Sequence, residues 1–247
     1  MDRLIYTAMT GAKHAFLQQA GVAHNLANAS TVGYRAMEHR FRAVPIQGEG
    51  AATRAFVVDA SVANVFDQGP LMATGRDLDD AVQGAGWIAV ETPDGREAYT
   101  RAGNLQVNAN GQLQTAAGLN VVGDGGPIAI PPDNSITIGS DGTISTVPLY
   151  GNPNNTSVVA RIKLVNPPEN ELLRGDDGLF RRASGLPADL DETVKVAPQT
   201  LEGSNVNPVD SMVSMISLAR QFEMQIKMLQ SADANASKAS QILSLTA

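Results

Sequence analysis

Several stretches of the sequence have residue types and spacings that could carry chemistry. Gly84-Ala85-Gly86-Trp87-Ile88-Ala89 follows the G-x-G-x-x-A spelling of a loop that receives a dinucleotide pyrophosphate. That chemistry needs the glycines between a strand and a helix N-terminus, where free amides face the phosphates. Here the glycines precede a strand-like run, so the spelling reads as a turn into a buried strand. Asp79-Asp80 and Asp176-Asp177 are adjacent carboxylates. Neighbours on a strand point to opposite faces, so adjacency makes neither an acid/base pair nor a calcium cage, and both pairs read as solvated loop. The histidines are His14, His24 and His39, and the first two stand ten residues apart on one predicted helix. That is about 15 Å along the axis, too far to share a metal. Asn28-Ala29-Ser30, Asn154-Asn155-Thr156 and Asn235-Ala236-Ser237 spell glycosylation acceptors, two of them inside predicted helical seams. No nucleophile elbow and no helical H-E-x-x-H is present. The expectation is a protein that is not an enzyme, with no cofactor and no metal.

Composition narrows the classes further. The chain of 247 residues carries 18 Lys+Arg against 25 Asp+Glu, a net charge of −7, which argues against a nucleic-acid sheath or a polybasic membrane anchor. Hydrophobic residues make up 43% and aromatics only 4%, so the core must be built mostly from Ala, Val, Ile and Leu. The absence of cysteine removes disulfides, thiolate metal sites and cysteine nucleophiles. No apolar run approaches the roughly 18 residues of a spanning helix, so no membrane insertion is expected. Leu4 to Ala12 is broken by Thr7, Thr10 and Gly11, which reads against a cleaved secretory signal. Arg3, Lys13, Arg35, Arg40 and Arg42 outnumber Asp2 and Glu38 at the start, and the charges of 205–247 balance, so the negative charge sits in the middle.

The elements that would position anything functional fall into three zones. The first 30 residues read as a helix with a seam at steps of three and four: Met1, Ile5, Ala8, Ala12, Ala15, Gln19, Val22 and Leu26. Its alanines permit close approach but bury little area, so the stripe is too narrow to hold the helix alone. Gly33 is a candidate stop, preceded by Asn28, Ser30 and Thr31, whose side chains compete for backbone bonds. The last 40 residues read as a second helix, capped by Asn207, with Pro208 first inside and Asp210 three after the cap. Its seam runs Met212, Met215, Ala219, Phe222, Ile226 and Leu229, then Asp233, Ala236, Ser240 and Leu243.

Between the helices the signals are those of strands. Trp87–Val90, Glu97–Thr100, Leu105–Val107, Gln112–Gln114, Ile128–Ile130, Ser135–Ile138 and Thr143–Ser145 are separated by Pro93-Asp94-Gly95, Asn108 to Gly111 and Ser140-Asp141-Gly142 turns. Ser157 to Val165 is a further β-branched run, and 45–76 reads as irregular apart from Ala55 to Val58. The fold class expected is α+β with a mainly β middle: long N- and C-terminal helices forming a coiled coil, and a sandwich or open barrel inserted between them. The expected domains are 1–35 with 205–247 as a helical assembly domain, 36–75 as an extended connection and 76–204 as an outer β domain.

Asn25-Leu26-Ala27-Asn28-Ala29-Ser30-Thr31-Val32-Gly33-Tyr34-Arg35 resembles the N-L-A-N-x-x-T-x-G-[FY] signature of bacterial flagellar rod and hook axial proteins. The resemblance continues through Gly69-Pro70-Leu71, Thr74-Gly75-Arg76, Gly84 to Val90, Glu97 to Leu105, Asp141 to Ser145, Ser204 to Asn207 and Met212 to Leu229. The chain departs from that family's pattern at His24, where Asn is usual, and at Asp80, where an apolar residue is usual. The resemblance implies a structural subunit of the basal-body rod, the opening Met1 to Ala12 favouring its proximal part over the distal part. It implies copies of itself and other rod proteins as partners, passage through the flagellar type III export apparatus without a cleaved signal, and a place in the rod that spans the periplasm. The expected assembly interface is Ile5, Ala8, Ala12, Ala15, Val22, Asn25, Leu26, Asn28, Thr31, Gly33, Tyr34, Met212, Met215, Ala219, Phe222, Ile226 and Leu229. These seams are expected to be buried between neighbouring subunits. The alternative from another class is a secreted β-domain binding module.

Overall fold

The computed structural model describes residues 2–45, 55–149 and 156–245. Met1 of the first seam and Asn154-Asn155 of the second acceptor spelling lie outside the described residues, as does the side chain of Leu243. The chain has a helix at each end and a mainly β middle, and it divides into two compact units. The first comprises Met1–Ala29, Ala36–Val65 and Val206–Ala247; the second comprises Ser30–Arg35 and Phe66–Asn205.

In the first unit, helix α1 (Asp2–Ala27) packs against helix α2 (Pro208–Leu245). Ala8, Ala12 and Ala15 are buried, at the i, i+4, i+7 spacing that keeps one side of a helix inward. Gly11 sits where α2 crosses: an added Cβ would stand 3.0 Å from the Gln225 side-chain nitrogen. α2 begins as its residues dictate. Asn207 Oδ1 accepts the Val209 amide at 3.0 Å, and Asp210 Oδ2 accepts the Asn207 side-chain amide at 2.7 Å. Met215, Ala219, Phe222, Ile226 and Leu229 are half-buried, but Asp233 is exposed and Ala232 takes the buried position. A carboxylate turned to water avoids the cost of burying an unpaired charge, and the small neighbour fills the contact instead.

The third element of this unit departs from expectation. Within 45–76, read as irregular apart from Ala55 to Val58, residues 46–54 lie outside the described residues, and Ala55–Asn64 forms one continuous strand against Met37–Pro45, antiparallel, from Met37 opposite Asn64 to Pro45 opposite Ala55. A bulge falls between Arg40 and Phe41. Asp59 and Ser61 blur the alternation that marks a half-buried strand, so the sequence signal stops short of the strand's end. A two-stranded ribbon gains little from its own faces and depends on what it leans on. Here it leans on α1. The His14 ring meets the Phe41 ring edge-on at 5.3 Å, and a Cβ on Gly21 would strike the His39 ring at 2.7 Å.

The second unit is built on an antiparallel sheet. Its strand order is Leu172–Arg174, Phe180–Arg182, Glu97–Thr100, Trp87–Glu91, Asn120–Gly123, Leu113–Thr115, Leu105–Val107. Trp87–Glu91 sits at its centre, also pairing with Leu164–Val165. This strand is buried on both faces: Ile88 and Val90 enter one core with Leu105, Leu113, Val121 and Ile144, while Trp87 and Ala89 enter another with Tyr99, Phe180 and Leu172. Double burial explains its uninterrupted apolar run. A separate three-stranded sheet joins Asn134–Ile138, Thr143–Pro148 and Ser157–Arg161. The predicted turns are present, with Gly95, Gly111 and Gly142 at φ of 73°, 79° and 82°, values that favour glycine. Two short ladders close the unit, Asp80–Gln83 with Lys195–Pro198 and Leu71–Ala73 with Thr200–Glu202.

Asp80 is the residue of this unit least suited to its place. It is fully buried and neither carboxyl oxygen has a hydrogen-bond partner. Burial, reinforced by the neighbouring Asp79, pushes its pKa up to about 7. The folded state therefore keeps a proton that the unfolded chain releases near pH 4, so stability falls as pH rises from about 4 to about 7, by at most about 1.4 kcal/mol per unit. Asp80→Asn is expected to flatten this slope and to raise the melting temperature at pH 8; thermal melts at pH 5 and pH 8 followed by circular dichroism test it, and an unchanged slope would count against it.

Candidate functional site

The family-like segment after α1 is held inside the second unit by a buried ion triad. Glu202 Oε1 accepts Arg35 Nη1 at 2.6 Å, and Oε2 accepts Arg101 Nη1 at 3.0 Å, with the Arg35 and Glu202 side chains fully enclosed. Glu202 Oε1 also takes the Gly69 amide at 3.0 Å. Arg101 donates to the carbonyls of Val82 at 3.1 Å and Gly84 at 2.5 Å. Both guanidiniums lie beside the Trp87 ring, at 6.0 Å and 5.4 Å from its centroid. Burial draws the Arg101 pKa down to about 10, Glu202 opposing that shift, so the group stays charged at neutral pH.

The backbone follows the same pairing. The Gly33 amide donates to the Glu202 carbonyl at 2.8 Å, and the Asn205 amide donates to the Tyr34 carbonyl at 3.3 Å. The stretch leaving α1 and the stretch entering α2 thus run together through the β unit. Gly33 has φ of +67°, and a Cβ there would lie 2.3 Å from the Arg101 carbonyl carbon. Only glycine satisfies both the backbone conformation and the contact. Tyr34 is buried under the Arg174 guanidinium, 4.6 Å from its ring centre, and Arg174 in turn donates to the Arg35 carbonyl at 2.8 Å. Burial raises the Tyr34 pKa, with Arg174 acting against it.

The expected interface residues therefore fall into two groups. Thr31, Gly33 and Tyr34 belong to the root in the second unit. The remainder belong to the first. Ala8, Ala12 and Ala15 are buried there within the chain, Ile5, Val22 and Leu26 are half-buried, and Met212 is 52% exposed. Asn25 fastens the ribbon to the end of α1, since its Oδ1 accepts the Met37 amide at 2.9 Å and its Nδ2 donates to the Met37 carbonyl at 2.8 Å. Asn28 Nδ2 returns to the His24 carbonyl at 2.9 Å, closing the helix end. Arg35, Arg101 and Glu202 do not stand out as a set in the sequence. Arg35 and Arg101 lie within matched motifs, but nothing in the spacing joins them to Glu202.

The chemistries that the sequence spells do not assemble. Gly84 and Gly86 form a turn into the buried strand at Trp87, and a Cβ on Gly86 would strike Val194 at 2.6 Å. Asp79 is engaged by Thr74 at 2.8 Å and Arg76 at 3.0 Å, and Asp177 by Arg181, which lowers its pKa. Among the described residues no group of three or more His, Asp or Glu is placed to hold a metal, and no helix is long and apolar enough to cross a membrane.

A helix at each end and a mainly β middle agree with the class of protein to which known sequences point. Residues 5–35 match the family described as flagella basal body rod protein, 81–146 the flagellar hook protein FlgE/F/G D1 domain, and 197–242 the flagellar basal body rod FlgEFG protein C-terminal family. The chain is 46% identical to the flagellar basal-body rod protein FlgF of Salmonella typhimurium and 47% identical to that of Escherichia coli, over the full length of each pair. It is 32% identical to the flagellar basal-body rod protein FlgG of Agrobacterium fabrum, over 95% of this chain and 97% of the relative. The chain belongs to the FlgF family of flagellar basal-body rod proteins.

Removing Glu202 leaves two buried guanidiniums without their carboxylate, a change that typically costs about 3–5 kcal/mol. Glu202→Gln is expected to lose stability on that scale in urea unfolding; a loss below about 1 kcal/mol would show the triad to be dispensable. Gly33→Ala is expected to be destabilised by more than the ~1 kcal/mol of a left-handed backbone alone, because the backbone of Arg101 cannot yield to the added carbon.

Proposed function

We propose that this protein is a structural subunit of the proximal part of the flagellar basal-body rod, polymerising through its terminal helices into a shaft that transmits torque. Its partners on this reading are copies of itself and other rod proteins, and it reaches the rod through the flagellar type III export apparatus. The family supports the rod role, and a cysteine-free chain has no disulfide to re-form after passage.

The observation that carries the assembly reading is the second apolar face of each helix. The buried positions of α1 are small and already occupied: Ala8, Ala12 and Ala15 are buried within the chain. A second set of large apolar side chains points out. Tyr6, Met9 and Phe16 on α1, and Val209, Met212, Val213, Ile216, Met224 and Met228 on α2, are between 43% and 67% exposed. A continuous exposed apolar face on paired helices is the surface of an interaction site rather than of a free-standing domain. On this reading the outward faces join subunits into a coiled-coil layer. Full burial of such side chains contributes about 1.5–3 kcal/mol each, enough for several weak contacts to add up along a polymer.

Val213→Asp and Ile216→Asp change exposed positions and should leave the monomer folded while abolishing incorporation into basal bodies and motility. Soft-agar swimming with immunoblots of isolated basal bodies is the measurement. Wild-type swimming in the double variant would remove the assembly reading.

A further inference from the structure

We infer that the groove between α1, the ribbon and α2 receives the Tyr6–Met9–Phe16 face of a second copy of this chain. This rests on the rod-subunit reading and names the contact that reading requires.

The groove lies wholly within the first unit and encloses about 860 Å³. Its walls include Gly21, Val22, Glu38, Val213, Ser214 and Ser217. Gly21, Ser214 and Ser217 are small, so the space is left by the side chains that are absent there. Size alone suits bulky knobs, and the chain presents three: Tyr6 and Met9 at 53% exposure and Phe16 at 61%. Their own groove cannot take them. At 100° per residue, Tyr6, Met9 and Phe16 lie on the side of α1 roughly opposite Gln18, Gly21 and Asn25, which line the groove. One subunit therefore offers the knobs on one side and the receptacle on the other. Such a contact is head-to-tail and does not close on itself, so repetition builds a filament rather than a dimer.

Charge agrees with shape. Lys13 stands on the knob face, between Met9 and Phe16 in the 6, 9, 13, 16 spacing, and is exposed. Glu38 stands in the groove wall, its side chain 58% exposed and only loosely paired with Arg40 at 3.6 Å. Docking would set Lys13 of one copy beside Glu38 of the next. Val213 of the groove wall belongs to the exposed apolar residues of α2, beside Val209, Met212 and Ile216, so the receptacle has apolar surface at its rim.

The chain has no native cysteine, which makes the test direct. Two differently tagged full-length versions, one with Phe16→Cys and one with Ser217→Cys, are expressed together and basal bodies are isolated and oxidised. The expected result is a mixed disulfide several-fold stronger than that from a control pair with Asn110→Cys in place of Ser217→Cys. Lys13→Glu in the first version should weaken it, and Glu38→Lys in the second should restore it. Met9→Cys with Ser214→Cys serves as a second pair should Phe16→Cys fail to enter basal bodies. Both versions present in basal bodies without a mixed disulfide, or Phe16→Cys bridging only to a different rod subunit, would overturn this docking and leave the rod role intact. An unsubstituted chain absent from basal bodies would remove the rod role as well.

Discussion

The second unit depends on one carboxylate. Glu202 is enclosed, and a buried carboxylate is tolerated only when its charge and lone pairs are all engaged. Two guanidiniums and one amide do this, from three distant parts of the chain: Arg35, Arg101 and Gly69. An ion triad of this kind need not add net stability over an apolar replacement. What it does fix is a penalty for separation: parting any one of these segments strands a charge in the interior, which typically costs about 3–5 kcal/mol.

From that constraint the rest of the root follows. Gly33 must pass against the Arg101 backbone, which is why a residue without a side chain stands there. Tyr34 fills the space under Arg174, and Arg174 is fixed through the Arg35 carbonyl. The first unit obeys a different rule. α1 approaches α2 through alanine and glycine, Met215, Phe222, Ile226 and Leu229 of α2 are half-buried, and a second set of bulky apolar side chains is left exposed. An ordinary surface helix of a globular protein keeps that opposite face polar.

Much of this was legible in the sequence and some was not. Local rules carried the capped start of α2, the glycine turns and the doubly buried strand at Trp87, because each depends on neighbours within a few residues. The alanine seam of α1 was also readable, and α2 of the same chain, one of the partners expected for it, packs against it. Periodicity tells which face is apolar; it does not tell which molecule supplies the other side. The ribbon strand Ala55–Asn64 was only half seen because its alternation is weak and its support comes from α1. The ion triad was invisible as a unit: Arg35 and Glu202 are 167 residues apart, and a charged residue in a sequence gives no sign of being enclosed.

The shared root has a mechanical consequence. The strand of chain coming out of α1 and the one going into α2 are laced to each other and to the same acidic node. Parting these two stretches would require the Gly33–Glu202 and Tyr34–Asn205 backbone bonds and the Arg35–Glu202 pair to break together, so neither can be unlaced one bond at a time.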